Sequence, residues 1–272
     1  MRETILEVNN LNVVLEQKKQ KRSLVQDINF SVKKGECLGI LGESGSGKSI
    51  TVKSIMGLLD RNVKITGEAW FDGSDLLKEG KENLRKIRGS KVAMVLQNPM
   101  TCFDPLCKIS SQIRETFQAH TNWNSYQMRE KAIALLKQMQ IRDPEEVLEK
   151  YPHQLSGGML QRIMIGLALA LEPELLIADE PTTAIDAITQ YEVLEALKKI
   201  KREKQTAMIF ITHDLGAISY VADRILVMNQ GHIVEEGRFH DIMKHANDPY
   251  TKMLVEKKCA VMKQYRTVIG KK

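Results

Sequence analysis

No run of eighteen apolar residues occurs anywhere in the 272-residue chain, so no segment reads as a transmembrane helix. Met1 to Leu15 lack the positive-then-apolar order of a secretory signal. A cytoplasmic protein is the expectation, and if it acts at a membrane other chains must supply the spanning part. Cysteine is scarce. Cys37, Cys102, Cys107 and Cys259 form no CxxC pair, and none stands beside a histidine at zinc-ligand spacing. Buried or inert thiols in a reducing compartment are expected. There is also no internal repeat and no low-complexity tract.

What is present suits an ordinary folded chain. Hydrophobic residues make up 43% and charged residues 27%, enough to build a core without disulfide or metal staples. The length fits one large domain, or one domain with a small extension. The net charge of +6 permits an anionic partner and selects none. The basic clusters Lys18–Arg22 and Lys257–Lys272 read as solvated faces.

Short apolar runs at Ile5–Val8, Leu11–Leu15 and Val25–Val32 predict strands. Cys37–Leu41 is a continuous apolar run, as in a strand buried on both faces, and a helical pattern follows from about Lys48 to Leu58. Ala69–Phe71 and Val92–Leu96 are further strand candidates, and Asp72-Gly73 signals a turn. Residues 98–151 read as mostly helical, with helices at Ser110–Thr121 and Tyr126–Gln140, inserted into a sheet domain. The sheet resumes at Leu175–Ala178 and Ala207–Thr212, with a helix at Thr189–Lys204 between them. Arg224–Met228 and His232–Glu235 predict a hairpin, and helical patterns fill the rest to about Lys258. Strands alternating with helices argue for an α/β sheet with a parallel core.

Gly42-Glu43-Ser44-Gly45-Ser46-Gly47-Lys48-Ser49 fits GxxxxGK[ST] between a strand and a helix. Glycines let the backbone curl so that several amides point at one phosphate, and the helix start adds its positive end. Lys48 carries a point charge to the β- and γ-phosphates, and Ser49 offers a hydroxyl to Mg²⁺. The loop residues Gly42–Ser49 and the adjoining Ile50 are the candidate nucleotide contacts. Leu175-Leu176-Ile177-Ala178-Asp179-Glu180 is an apolar strand ending in two acids, where open α/β sheets place their ligand sites. Asp179 is the candidate Mg²⁺ partner and Glu180 the candidate base for the attacking water. Ser156 with Gly157 and Gly158, just before a helical pattern at Ile163–Leu171, makes a second helix start with free amides. That segment reads equally as a plain serine cap.

Taken in order, these segments resemble the ATP-binding subunits of ABC transporters, from about Ile5 to Leu254. Leu41–Ser49 matches the family's Walker A loop, Leu175–Glu180 its Walker B strand and Leu155–Gly158 its signature. Gln97 sits where the Q-loop glutamine sits. Ala184-Ile185-Asp186 resembles the D-loop, and Ile211-Thr212-His213-Asp214 the switch-histidine segment.

The resemblance implies a P-loop NTPase fold: a parallel-core sheet, an antiparallel β subdomain and a helical subdomain at about 98–170. The ATPase domain would span 5–254, followed by a basic tail at 255–272. It implies ATP and Mg²⁺ as cofactors, with Gln97 contacting Mg²⁺ and the water and linking the site to membrane subunits. His213 would contact the γ-phosphate. Ser156, Gly157, Gly158 and Met159 would touch ATP held by a second subunit, with Asp186 at the dimer seam. Two positions depart from the family pattern. Met159 replaces the signature's usual Gln, and no Tyr, Trp or Phe occurs between Met1 and Asn29 to stack on adenine.

Gly157-Gly158-Met159 with Gln161-Arg162, Gln97-Asn98-Pro99-Met100-Thr101 with Phe103-Asp104-Pro105, and Asp248-Pro249-Tyr250-Thr251 look like the peptide/nickel import subfamily. Within it, Ile177–Asp186 with Ile188-Thr189-Gln190-Tyr191 looks nearest to subunits importing nickel, cobalt or metal–opine complexes. Oligopeptide or dipeptide import is the alternative. The implied partners are a second ATPase subunit, identical or different, two membrane permease subunits and, indirectly, an extracytoplasmic solute-binding protein. A soluble ATPase of this type acting on DNA would need a long coiled coil between loop and signature. The gap of about 110 residues holds prolines and no sustained heptads, and a nucleic-acid partner is not expected. Ribosome-acting members carry two such cassettes in one chain, and only one is present here.

Overall fold

The computed structural model describes residues 3–17, 20–60, 62–183 and 185–257. In chain order the elements are β1 (Thr4–Gln17), β2 (Gln20–Lys33), β3 (Cys37–Leu41), α1 (Lys48–Ile55), β4 (Val63–Phe71), β5 (Ser74–Asp75), α2 (Lys81–Ile87), β6 (Val92–Val95), α3 (Ile109–His120), α4 (Ser125–Gln138), α5 (Pro144–Glu149), α6 (Gly157–Leu169), β7 (Leu175–Asp179), α7 (Ala187–Lys204), β8 (Ala207–Thr212), α8 (Leu215–Val221), β9 (Arg224–Asn229), β10 (His232–Gly237) and α9 (Phe239–His245). Residues 249–257 form a last helix. Two compact units result. Of the described residues, the first holds 3–5, 32–36 and 78–209, and the second holds 6–31, 37–77 and 210–257.

In the second unit, β2, β1, β4 and β5 form an antiparallel sheet in that order. The two short strands expected at Ile5–Val8 and Leu11–Leu15 are one strand with a bulge. Asn10 stands at φ 49°, its amide donates to Asn29 Oδ1 at 2.8 Å, and the register against β4 shifts between Asn9 and Asn12. One extra residue flips the side-chain alternation. Leu6 and Val8 are buried before it, and Leu11 and Val13 after it. That change of phase is why the apolar pattern breaks in two.

The same unit holds β10, β9, β3 and the last three residues of β8, as neighbours in that order. β3 runs parallel to β9 with Leu41 opposite Val227. All five residues of β3 are buried, as its unbroken apolar run requires. α8 packs on β3, and Ile218 is fully buried there.

In the first unit the opening residues of β8 are followed by β7 and β6. β6 and β7 are parallel, with Val95 opposite Ala178. The chain makes α3 to α6 between these two paired strands. Ile113, Phe117, Leu136, Leu148 and Ile163 are buried among those helices, each contributing about 1.5–3 kcal/mol. A capping box of Asn124 and Gln127 opens α4. On α7 the residues at three-and-four spacing, Val193, Leu194, Leu197 and Ile200, are the buried ones.

The helix start expected at Ser156, Gly157 and Gly158 is that of α6, which Ser156 caps and which runs on through the helical pattern from Ile163 to Leu169. Of the cysteines, Cys37 is buried, whereas Cys102 and Cys107 are exposed rather than buried. Desolvation raises both exposed thiols above their ordinary pKa, and the Asp104 carboxylate adds to this at Cys107, which keeps them protonated and slow to react. Lys18, Ala184, Cys259 and the basic tail from Lys258 lie outside the described residues. No helix among the described residues is long and apolar enough to cross a membrane.

Candidate active site

The phosphate loop leaves the buried end of β3 and enters α1. Gly42 is where backbone must pass backbone: a Cβ there would lie 2.4 Å from the Met228 carbonyl oxygen. Gly47, at φ 104°, turns the chain into α1. Lys48 is buried and folds back, its Nζ donating to the Gly42 and Glu43 carbonyls at 2.8 and 2.9 Å. The Ser46 hydroxyl is buried without a hydrogen-bond partner. A curled, amide-lined loop with a buried cation and an unspent hydroxyl fits a chain of phosphates.

The β9–β10 turn holds this loop from one side. Gly231 donates its amide to the Ser46 carbonyl at 3.0 Å and accepts from the Gln26 amide at 2.8 Å. Its φ is 83°, and a Cβ would lie 2.6 Å from the Leu24 carbonyl oxygen. Gly231→Ala is therefore expected to cost at least about 1 kcal/mol from left-handed backbone alone, with the Leu24 clash added. Urea denaturation measures this, and an unchanged midpoint would show that the turn can relax. In this unit His213 follows β8, exposed, and Asp214 caps α8 by accepting from the Gly216 amide at 2.9 Å.

The acidic strand end belongs to the first unit. β7 is buried throughout, and Asp179 and Glu180 remain buried at its end. Glu180 takes a left-handed backbone, φ 48°, a strained conformation for a side-chain-bearing residue. Gln97 Nε2 and Thr183 Oγ1 each donate to its Oε2 at 2.9 Å. The parallel register explains the meeting with Gln97. With Val95 opposite Ala178, the residues two further along each strand, Gln97 and Glu180, emerge side by side. Asp179 and Gln97 both offer oxygen, the donor type Mg²⁺ takes.

Ser156 is exposed and accepts from the Met159 amide at 3.2 Å as N-cap of α6. The signature residues therefore form the helix's first turn, with Ser156 and Gly157 facing solvent. Asp186 caps α7, accepting from the Ile188 and Thr189 amides at 3.0 Å and from the Thr189 hydroxyl at 2.7 Å. The Thr189 contacts hold its carboxyl below the usual aspartate range. Thr189 also packs against the signature glycine Gly158.

The ABC transporter family profile matches residues 25–183. The chain belongs to the ABC transporter family. As an ABC transporter ATPase it is 46% identical over 246 residues to the metal-staphylopine import system ATP-binding protein CntD of Staphylococcus aureus strain NCTC 8325 / PS 47, covering 90% of this chain and 91% of the relative. It is 40% identical over 254 residues to the oligopeptide transport ATP-binding protein OppD of Lactococcus lactis subsp. cremoris strain SK11, covering 93% and 75%. A dimeric, post-hydrolysis structure of the ATP-binding cassette MJ0796 bound to ADP and Pi superposes with TM-score 0.78 at 27% identity. It covers 86% of this chain and 99% of that one. The fold is that of an ABC ATPase cassette.

Three residues of this ABC ATPase that touch its motifs were not among the expected site residues. Thr183 carries no motif signal beyond lying three residues after Glu180. Thr189 and Tyr250 lie in segments that mark the subfamily, without a role attached to either. Tyr250 accepts from the Glu43 amide at 3.0 Å.

Proposed function

We propose that this ATPase powers an import system for nickel, cobalt or metal–opine complexes. The observation that supports this cargo class is 46% identity to a metal-staphylopine import subunit over nine-tenths of both chains. Likeness to OppD supports a second reading, oligopeptide or dipeptide import. The proposed partners are a second ATPase subunit, identical or unlike, two permease subunits and an extracytoplasmic solute-binding protein. Attachment to the cytoplasmic face of the membrane would then run through the permeases. Within the chain, 5–254 is the proposed ATPase domain, 98–170 its helical subdomain and 255–272 a basic tail.

For the reaction, ATP with Mg²⁺ supplies the γ-phosphoryl group and the charge that counters its oxygens. Lys48 and the amides of Gly42–Ser49 hold the phosphates, with Ile50 beside them. Ser49, Asp179 and Gln97 are the proposed Mg²⁺ ligands. Glu180 takes a proton from the attacking water, and Gln97 orients the Glu180 carboxylate. His213 steadies the γ-phosphate. Ser156, Gly157, Gly158 and Met159 bind the nucleotide of the partner subunit through helix-start amides, which the Met159 replacement leaves intact.

Gene deletion followed by uptake assays tests the cargo. Loss of labelled nickel or cobalt uptake, free or opine-bound, with peptide uptake intact supports metal import. The reverse pattern supports the peptide reading and overturns the first.

A further inference from the structure

The Asp248-Pro249-Tyr250-Thr251 segment has no part in the reaction described above, yet it reaches the phosphate loop. Glu235 on β10 accepts from the Asn247 and Asp248 amides at 2.8 and 3.4 Å. Asp248 in turn accepts from the Tyr250 and Thr251 amides at 2.9 and 3.2 Å, capping the last helix. Thr251 is fully buried, so the helix start is anchored. From that anchor the Tyr250 hydroxyl accepts from the Glu43 amide at 3.0 Å, across 207 residues of sequence. One helical stretch further on, Lys257 Nζ stands 3.5 Å from the Glu43 carboxylate.

The contact falls where the loop is least supported. Glu43, Ser44 and Gly45 are exposed, so packing does not hold them. Lys48 holds the Gly42 and Glu43 carbonyls, and the Glu43 amide is held by the phenol. Burial keeps that phenol protonated well into the alkaline range, so a neutral hydroxyl serves as acceptor at working pH. Lys257 and Glu43 are both more than half exposed, and such a pair adds little by itself.

We propose that Tyr250 is a positioning residue for nucleotide binding. Its hydroxyl fixes the Glu43 amide, and so sets the entry of the phosphate loop before any phosphate arrives. The inference rests on reading Gly42–Ser49 as the nucleotide site.

The test compares Tyr250→Phe, Lys257→Ala and Lys48→Ala in the full chain, by titration with a fluorescent ATP analogue, and in the assembled transporter, by steady-state ATP hydrolysis. Tyr250→Phe keeps the ring and removes one hydrogen bond. It is expected to raise the Kd and the KM for ATP about 3- to 10-fold, with kcat at saturating ATP within about twofold. Lys257→Ala is expected to change affinity by less than about twofold. Wild-type Kd and KM in Tyr250→Phe, or a lowered Tm with affinity unmoved, would overturn the proposal. So would a larger loss in Lys257→Ala than in Tyr250→Phe. Unchanged affinity in Lys48→Ala would instead bring down the nucleotide-site reading on which the proposal stands.

Discussion

Glu180→Gln is expected to lower ATP turnover in the assembled transporter at least about 100-fold while leaving ATP binding intact. The replacement has the same shape. Its carbonyl oxygen still accepts from Gln97 and Thr183, which hold the native carboxylate at 2.9 Å. What it lacks is the charge and basicity to take a proton from water. Because the site is buried and its hydrogen bonds survive, the loss should fall on kcat and leave KM for ATP within a few-fold. Single-turnover hydrolysis with excess protein isolates the chemical step. Turnover close to wild type would remove Glu180 as the base and leave its left-handed backbone, φ 48°, without a catalytic reason.

Lys48→Ala carries the second large effect. Lys48 is 4% exposed, and its Nζ donates to two carbonyls of its own loop at 2.8 and 2.9 Å. A charge-assisted contact to phosphate is worth about 1.5–3 kcal/mol, so ATP affinity is expected to fall roughly 10- to 150-fold. The same change leaves the Gly42 and Glu43 carbonyls without this donor, which loosens the loop as well. Lys48→Arg separates the two contributions: it keeps the charge while its wider head cannot repeat the turn back onto the loop. Calorimetric titration gives both numbers. Equal affinity in wild type and Lys48→Ala would place the phosphates elsewhere.

The motifs were legible because their chemistry is local. A strand, a glycine-rich turn and a helix start need only neighbouring residues to bind phosphate, so Gly42–Ser49 can be read from spacing alone. The same holds for Ser156, whose hydroxyl reaches an amide three residues on, and for the apolar stripe of α7. Illegible were features that depend on phase or partner. The bulge at Asn10 changes which face of β1 is apolar, and no local pattern distinguishes that from two separate strands. Two exposed cysteines looked no different in sequence from the buried Cys37.

Sequence by itself determined which residue types are on hand for binding phosphate and activating water, and which family they belong to. It did so because those functions require particular atoms at short chain separations. Tertiary structure alone decided which distant groups would meet. Gln97 reaches Glu180 because two parallel strands share one register. Tyr250 reaches Glu43 because an anchored helix returns to the loop. Such pairings are set by strand register and helix docking, which arise only when the whole core is packed and leave no periodic trace along the chain.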